Sequence, residues 1–169
     1  MGMNDLASSD LENRLLAEDH TSLRLWLRLL TTTIRIEDTV RQRLRERFGI
    51  TLPRFDLMAQ LEREPDGLTM GELSRRMMVT GGNITTIVDQ LEKEHMVQRV
   101  VSPSDRRSYR VCMTPQGRAA FETMAKAHEQ WVIGLMSTLS EDQQLQLHTL
   151  LGLLKQGLLQ DPPPPRGLT

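Results

Sequence analysis

Hydrophobic residues recur every three or four positions from Leu23 onward, which is the spacing of an amphipathic helix. Gly49 is predicted to end this helix, because glycine readily adopts the left-handed conformation that follows a last helical turn. A domain of this size is expected to bury one face of so long a helix, so the other face is predicted to meet a partner chain or a ligand. Two apolar stripes run along the helix: Leu23, Leu27, Leu30, Ile34, Leu44 and Phe48, and Trp26, Leu29, Ile36 and Val40.

Three short helices with recognisable start signals are predicted next. Pro53 suits the first turn of one helix, and Thr69 and Glu72 have the spacing of a capping box that opens the second. Thr80 is expected to cap the third. Two short helices in succession after residue 69 are typical of a helix-turn-helix. The predicted buried positions are Phe55, Leu57, Met58 and Leu61 in the first helix and Ile84, Ile87, Val88 and Leu91 in the third.

The hydrophobic period falls toward two between residues 97 and 113. Two runs rich in β-branched residues, 97–101 and 109–113, flank a turn-rich basic connection and predict a β-hairpin with a charged tip. Thr114-Pro115 then begins a long helix, and Ser140 with Gln143 forms a second capping box. The helix that follows Ser140 carries leucine on most sides and is expected to be buried.

Composition narrows the class of protein. A chain of 169 residues with 38% hydrophobic and 25% charged residues is typical of one globular domain, and its apolar stretches are too short to span a membrane. The start of the chain lacks a signal peptide pattern, and the single cysteine, Cys112, excludes an internal disulfide, so a cytoplasmic location is expected. No enzyme motif, metal-ligand spacing or cofactor-binding loop is present in the sequence.

The net charge of −1 hides an uneven distribution. Residues 69–118 contain eight Lys or Arg and five Asp or Glu, while residues 1–40 contain four and seven. Positive charge in the middle of an otherwise acidic chain indicates a nucleic-acid contact surface, although an excess of three charges is a weak signal by itself.

The start of the second helix of the helix-turn-helix has the chemistry to read DNA. A recognition helix lies in the major groove, so its exposed first turns need small polar groups that reach base edges. The alternative interpretation is that Gly-Gly-Asn is only a turn between two helices. The candidate DNA-binding residues here are Thr80, Gly81, Gly82, Asn83, Thr85 and Thr86.

The tip of the hairpin adds a second candidate contact. A basic tip after a recognition helix forms a wing, and an arginine there gains from the negative potential of a narrow minor groove. Arg106 and Arg107 are placed for this role, with Asp105 orienting a guanidinium through a paired hydrogen bond. Taken singly, the same string is also compatible with a solvated charged turn.

In order and spacing, the chain resembles the MarR family of winged helix-turn-helix regulators over about residues 23–158. His95 departs from the pattern, because the family usually has glycine where the recognition helix ends, and the turn is therefore expected to be shaped differently. The residues that carry the resemblance are Leu73-Ser74, Ile84-Thr85, Val88-Asp89-Gln90-Leu91-Glu92, Val97-Gln98-Arg99, Asp105-Arg106-Arg107 and Thr114-Pro115-Gln116-Gly117-Arg118.

The resemblance implies a mainly α fold with a small β-hairpin, namely a winged helix-turn-helix domain plus N- and C-terminal dimerisation helices. It implies a homodimer that binds double-stranded DNA at a pseudo-palindromic operator, most commonly as a repressor. It also implies Arg107 as the minor-groove arginine, anchored by Asp105. The expected organisation is a flexible N-terminal arm over 1–20, helical dimerisation regions over 21–50 and 115–160, the DNA-binding domain over 51–114 and a disordered proline-rich tail over 161–169.

Small-molecule effectors of this family bind between the dimer helices and the DNA-binding lobe. The matching segments here carry apolar side chains beside cations, which suits an aromatic acid or an acyl thioester, and residues 23–30 with 51–61 resemble the branch that responds to hydroxycinnamoyl-CoA and related aryl-CoA thioesters. The candidate effector-binding residues are Arg24, Trp26, Arg28, Arg35, Arg54, Phe55 and Met58.

The sequence is also compatible with other regulatory signals and with a role other than DNA binding. His128 and His148 lie on different predicted helices, so a metal-sensing role is the weaker interpretation. Cys112 lies on the second hairpin strand and is interpreted as a packed side chain rather than a redox sensor. A regulator with a non-aromatic or redox signal and a protein-interaction module on the same fold are the alternatives.

Overall fold

The computed structural model describes residues 20–77, 80–101 and 109–160. These residues form a mainly helical fold with one small antiparallel sheet, as predicted from the sequence. None of the helices within these ranges is long and apolar enough to cross a bilayer. The elements are α1 (Thr21–Phe48), α2 (Leu52–Glu62), β1 (Leu68–Thr69), α3 (Met70–Met77), α4 (Gly81–Lys93), β2 (Val97–Val101), β3 (Tyr109–Met113), α5 (Pro115–Met136) and α6 (Glu141–Gln160).

The predicted hairpin is confirmed, and β3 is the central strand of its sheet. Strands β2 and β3 pair antiparallel from Val97 opposite Met113 to Val101 opposite Tyr109. The sheet has a third strand that the sequence did not predict, since β1 pairs with the other edge of β3 and places Leu68 opposite Val111. A two-residue strand is too short to show an alternating pattern.

The chain divides into two compact units, one up to His128 and one from Glu129 onward. The core lies in the first unit, where the helix-turn-helix packs against the sheet and α2. All the residues predicted to be buried in α2 and α4 are buried, except Ile87, which is half-buried. Fully burying each large side chain contributes about 1.5–3 kcal/mol. The largest fully buried side chains are Leu44, Leu57, Met58, Leu61, Leu68, Leu73, Ile84, Val88, Leu91, Val97 and Val111.

Helix α1 buries little of its apolar surface within the chain. Its only buried residues are Val40 and Leu44, which lie in its C-terminal half. Leu30 and Trp26, which belong to different predicted stripes, remain 41% and 56% exposed. The expectation that one whole face of α1 is covered by its own domain therefore holds only for the last turns of the helix.

Helix α6 belongs to the second unit, and the prediction that it is buried is wrong for a single chain. None of its 20 residues is buried. Leu150 is 64% exposed and Leu154 is 47% exposed. The apolar pattern correctly marks a surface that needs covering, but this chain alone does not provide the cover.

The two predicted capping boxes are confirmed. The Thr69 backbone N–H donates to Glu72 Oε2 at 2.8 Å, and the Glu72 N–H donates to Thr69 Oγ1 at 3.2 Å. This hydrogen bond from the Thr69 backbone is the main reason that the pKa of Glu72 lies below its ordinary value. Ser140 and Gln143 make the same reciprocal pair at 2.9 and 3.3 Å.

Thr80 occupies the N-cap position of α4, but its side chain makes no capping hydrogen bond. The prediction that its hydroxyl caps the helix is therefore wrong. Only its carbonyl takes part, by accepting the Ile84 N–H at 3.2 Å. The exposed Thr80 hydroxyl is left on the surface at the start of the helix.

Helix α4 ends in a Schellman motif that needs a left-handed residue. The Met96 N–H donates to the Leu91 carbonyl at 2.9 Å, and the His95 N–H donates to the Glu92 carbonyl at 3.0 Å. His95 itself takes the left-handed conformation, with φ of 59°. The expectation of a differently shaped turn is therefore wrong, because histidine adopts the conformation that glycine favours.

Thr114 and Gly117 join this turn to the start of α5. Thr114 Oγ1 lies 2.6 Å from the His95 carbonyl oxygen, to which it donates, and accepts the Gly117 N–H at 2.9 Å as the cap of α5. A Cβ on Gly117 would overlap the carbonyl oxygen of Met96. Glycine at this position is therefore required by the close approach of the two segments.

We expect His95→Gly to raise the free energy of unfolding by about 0.5–1 kcal/mol. The strain of an L-residue at positive φ, roughly 1–2 kcal/mol, exceeds the extra chain entropy that glycine loses on folding. His95→Val should lower the free energy of unfolding, because β-branched residues tolerate this conformation least. Urea denaturation of both variants tests the prediction, and a destabilised His95→Gly would contradict it.

Candidate nucleic-acid interface

Helix α4 has one face in the core and one face in solvent. Ile84, Val88 and Leu91 are fully buried and hold the helix against the first unit. The opposite face consists of exposed small polar residues, and the structure brings together all six candidates at its N-terminal end. These are Thr80, Gly81, Gly82, Asn83, Thr85 and Thr86.

The two glycines at the start of α4 are not required by packing within the chain. A Cβ on Gly81 or Gly82 would meet nothing within 4 Å. Neither residue has a positive φ. Glycine in a helix costs about 0.5–1 kcal/mol relative to alanine, and packing among the described residues does not account for this pair.

Thr85 and Thr86 direct their hydroxyl protons back into the helix. Thr85 Oγ1 donates to the Gly81 carbonyl at 3.1 Å, and Thr86 Oγ1 donates to the Gly82 carbonyl at 3.2 Å. Both side chains are exposed. They present lone pairs and methyl groups to whatever molecule lies against this face.

Arg99 ties the recognition helix to the first strand of the wing. Its guanidinium forms ion pairs with Asp89 and Glu92 of α4, and its backbone N–H donates to Glu92 Oε1 at 3.0 Å. The hydrogen bond to Asp89 is the main reason that the pKa of Arg99 is raised. The contact fixes the direction of β2 relative to α4, and sequence reasoning gave Arg99 no positioning role.

Arg110 connects the central strand, β3, to the turn before β1. Its Nη2 donates to the Gly67 carbonyl at 2.8 Å, and its Nε donates to the Asp66 carbonyl at 3.1 Å. The guanidinium also lies 4.0 Å from Glu72 of α3. Strand β3 is thereby held to the turn from which the helix-turn-helix begins.

The tip of the wing lies outside the described residues. Asp105, Arg106 and Arg107 belong to the segment 102–108, so their contacts with DNA stay predictions. The two strands that flank this segment are described: β2 ends at Val101 and β3 begins at Tyr109.

Two arginines of α1 border the exposed face of α4, and this proximity was not predicted from the sequence. Arg41 and Arg45 line a surface pocket of about 420 Å³ together with Asn83 and Thr86. Sequence reasoning assigned this part of α1 only to assembly. The sequence does show a high density of arginine over residues 41–47. The helical pattern alone does not show which surface these arginines lie beside.

The structure brings together only some of the candidate effector residues. Arg54 and Met58 line a cavity of about 270 Å³ in the first unit. Phe55 is buried and packs its ring 5.4 Å from that of Phe121, so it does not line this cavity. The four candidates on α1 lie elsewhere on that helix and do not line it either: Arg24, Trp26, Arg28 and Arg35.

Cys112 and His128 occupy packed positions. Cys112 lies against Gly67, where a Cβ would overlap its sulfur, and burial raises the pKa of its thiol. A raised pKa disfavours the reactive thiolate. The His128 ring lies 5.1 Å from that of Phe55, and burial lowers its pKa. Within the described ranges, no group of three or more potential ligands could hold a metal ion.

An exposed recognition helix, a hairpin wing after it and a short strand before it define a winged helix-turn-helix protein. A sequence model of the MarR family matches residues 48–108. The structure of a MarR family transcriptional regulator from Silicibacter pomeroyi shares 31% identity and a TM-score of 0.70, covering 82% of this chain and 98% of that one. The chain belongs to the MarR family, whose members are DNA-binding transcriptional regulators and not enzymes.

Two further comparisons agree with this assignment. A putative transcriptional regulatory protein for the hcr operon of Thauera aromatica is 32% identical over 113 residues, which cover 67% of this chain and 66% of that protein. Sco3205, a MarR family regulator from Streptomyces coelicolor solved in complex with DNA, shares the fold with a TM-score of 0.70 at 24% identity. That match covers 79% of this chain and 85% of Sco3205.

We expect Gly82→Ala to change stability and DNA affinity in opposite directions. Removing a helical glycine should raise the free energy of unfolding by about 0.4–1 kcal/mol. If the DNA backbone comes close to this glycine, the added methyl group should weaken DNA binding about tenfold. Gly134→Ala is the matched control, since a Cβ there also meets nothing within 4 Å. Denaturation and fluorescence anisotropy measure the two effects, and unchanged DNA affinity for Gly82→Ala would exclude a close approach.

Proposed function

We propose that this protein is a cytoplasmic homodimer that reads a pseudo-palindromic operator in double-stranded DNA and represses transcription until a small ligand releases it. The exposed start of α4 carries the proposal. Its small polar residues surround two glycines that the fold does not need, and such a surface suits the major groove, where base edges and the DNA backbone come close to a helix.

The wing is proposed as the second DNA contact. Arg107 would enter the adjacent minor groove with Asp105 as its anchor, and Arg106 beside it is the second candidate for this contact. The described part of the hairpin supports this proposal. Arg99 and Arg110 hold its two strands to α4 and to the turn before β1, so the tip is carried on a fixed support.

A second copy of this chain is proposed as the cover for the exposed apolar helices. Helix α6 buries none of its residues, and the N-terminal half of α1 exposes several large apolar side chains. Exposed leucines on most sides of a helix are unfavourable in water, so a partner surface of the same character would stabilise the fold. A two-fold dimer presents two recognition helices to half-sites about one helical turn apart.

The effector is proposed to be a small aromatic acid or an aryl-CoA thioester. Both are anionic, and an anion buried among apolar helices needs a guanidinium partner. The candidates for the cation that meets the anionic part are Arg24, Arg28 and Arg35 of α1 and Arg54 of α2. The ligand would favour a spacing of the two DNA-reading units that no longer matches successive major grooves.

Asn83→Ala tests the reading of bases. A bidentate side-chain contact to a base contributes about 1–3 kcal/mol of discrimination, so affinity for sites selected from random DNA should fall about 5- to 150-fold. Affinity for unrelated DNA should change little. The control is Gln90→Ala, an exposed position two turns further along the same face. Equal loss on selected and unrelated DNA would show that Asn83 contacts the phosphate backbone instead.

The dimer is tested by placing charge on α6. Leu151 and Leu154 are 40% and 47% exposed in the single chain and lie three positions apart on the helix. The double variant Leu151→Glu, Leu154→Glu should be monomeric by light scattering and bind a two-half-site operator at least tenfold more weakly. Gln146→Glu, which adds charge at another exposed position, should remain dimeric. A dimeric double variant would exclude α6 from the interface.

A further inference from the structure

A surface groove in the first unit lies between the C-terminal half of α1 and the exposed face of the recognition helix. It has a volume of about 420 Å³, and residues 51–53 at the start of α2 contribute to its lining. Arg41 and Arg45 line this α1–α4 groove from one helix, and Asn83 and Thr86 line it from the other. Among the described residues that line the groove, none is acidic. The groove therefore places two guanidinium groups beside the face that is proposed to read bases.

The packing of α1 holds these two arginines in place. Arg41 and Arg45 are four positions apart, so they lie on the same face of the helix. Both are exposed, whereas Val40 and Leu44 are buried and pack this half of α1 against the rest of the unit. The backbone that carries the two guanidinium groups is therefore fixed by the core.

The two guanidinium groups differ in how far their charge is already balanced. Arg41 forms ion pairs with Asp38 and with Glu37, the second at 3.8 Å. The Arg45 side chain forms no ion pair or hydrogen bond with any residue that the structure describes. The unbalanced positive charge of the α1–α4 groove is thus concentrated at Arg45.

The position of the groove indicates which anion would occupy it. A helix that lies in the major groove has the phosphates of the two strands along its sides, so a cation that flanks the helix meets a phosphate rather than a base edge. The planar guanidinium of arginine can donate to two phosphate oxygens at once. Contacts of this kind fix the orientation and register of a protein on the duplex without reading its sequence.

We propose that Arg45 binds a phosphate of the operator backbone beside the recognition helix and so fixes the register of α4 in the major groove. The proposal rests on the proposed binding of DNA through α4, and it adds a contact from α1. Arg41 contributes less to this contact, because Glu37 and Asp38 balance its charge. Asn83 lines the same groove, so the phosphate and the base that Asn83 would read belong to one half-site.

The salt dependence of DNA binding tests the contact. Each phosphate contact that is lost reduces the slope of log K against log salt by about 0.9, and it weakens binding about fivefold at about 0.15 M salt. Arg45→Gln should cause this change for each protomer bound, and it should weaken selected and unrelated DNA by the same factor. Arg45→Lys should keep most of the slope, because lysine still binds phosphate as a point charge. An unchanged slope in Arg45→Gln would overturn the proposal.

Two other arginines of α1 serve as matched controls. Arg47 is exposed, lies outside the groove and has its guanidinium carbon 5.4 Å from the centre of the Phe48 ring. Arg47→Gln removes the same charge from the same helix and should leave the slope close to that of the wild type. Arg41→Gln should reduce the slope less than Arg45→Gln does. A reduction in either control as large as that in Arg45→Gln would overturn the assignment to Arg45.

Neutral methylphosphonates, placed one at a time in a DNA site selected from random sequence, locate the phosphate. One position beside the bases that α4 contacts should weaken binding of the wild type about fivefold. The same substitution should leave binding of Arg45→Gln unchanged, which is the coupling expected of a direct pair in a double-mutant cycle. Equal losses in both proteins at every position would overturn the contact from α1 but not the binding of DNA. A wild-type chain that binds no DNA would overturn the proposed function as well.

Discussion

The turn after the recognition helix is the constraint on which the DNA-binding unit depends. Three segments meet there, because α4 ends, β2 begins and α5 starts within hydrogen-bonding distance of one another. The turn closes only because His95 accepts a left-handed backbone and because Gly117 has no side chain to keep α5 away from Met96. Thr114 then joins the helix end to the helix start with one hydroxyl. The direction of α4, the plane of the sheet and the origin of α5 are therefore set together.

The charged residues around this turn reinforce the same geometry from two sides. Arg99 connects α4 to the wing, and Arg54 connects α2 to Glu94 at the end of α4. Removing one partner of a partly buried ion pair leaves the other unsatisfied, so both contacts favour one orientation of the recognition helix more than they add net stability.

Much of the fold could be predicted from the sequence, because its signals are local. The capping pair Thr69 and Glu72, the helix stop at Gly49 and the β-branched runs of the hairpin each act within a few residues, and the structure contains all of them. Contacts between distant segments were not predictable in this way. Strand β1 has no pattern of its own, and the pairing of Arg54 with Glu94 joins residues 40 positions apart.

Burial was also predicted only in part, for a physical reason. Apolar periodicity shows that a helix face needs cover, but it does not show which molecule provides it. Val88 and Leu91 find cover within the chain, whereas the leucines of α6 do not. The exposure of the first turns of α4 was predicted correctly, whereas their contacts with DNA stay a prediction. The wing tip lies outside the described residues, so only the sequence bears on its role.

The hydroxyl groups of Thr85 and Thr86 have a consequence for the operator itself. Their protons are already donated to Gly81 and Gly82, so in the proposed complex with DNA they would offer the major groove only acceptor oxygens and methyl groups. The N4 amino group of cytosine and the N6 amino group of adenine are the donors on base edges there, and thymine offers a methyl group. Guanine presents only acceptors on its edge. Base pairs facing these two threonines should therefore present adenine, cytosine or thymine rather than guanine on the contacted strand.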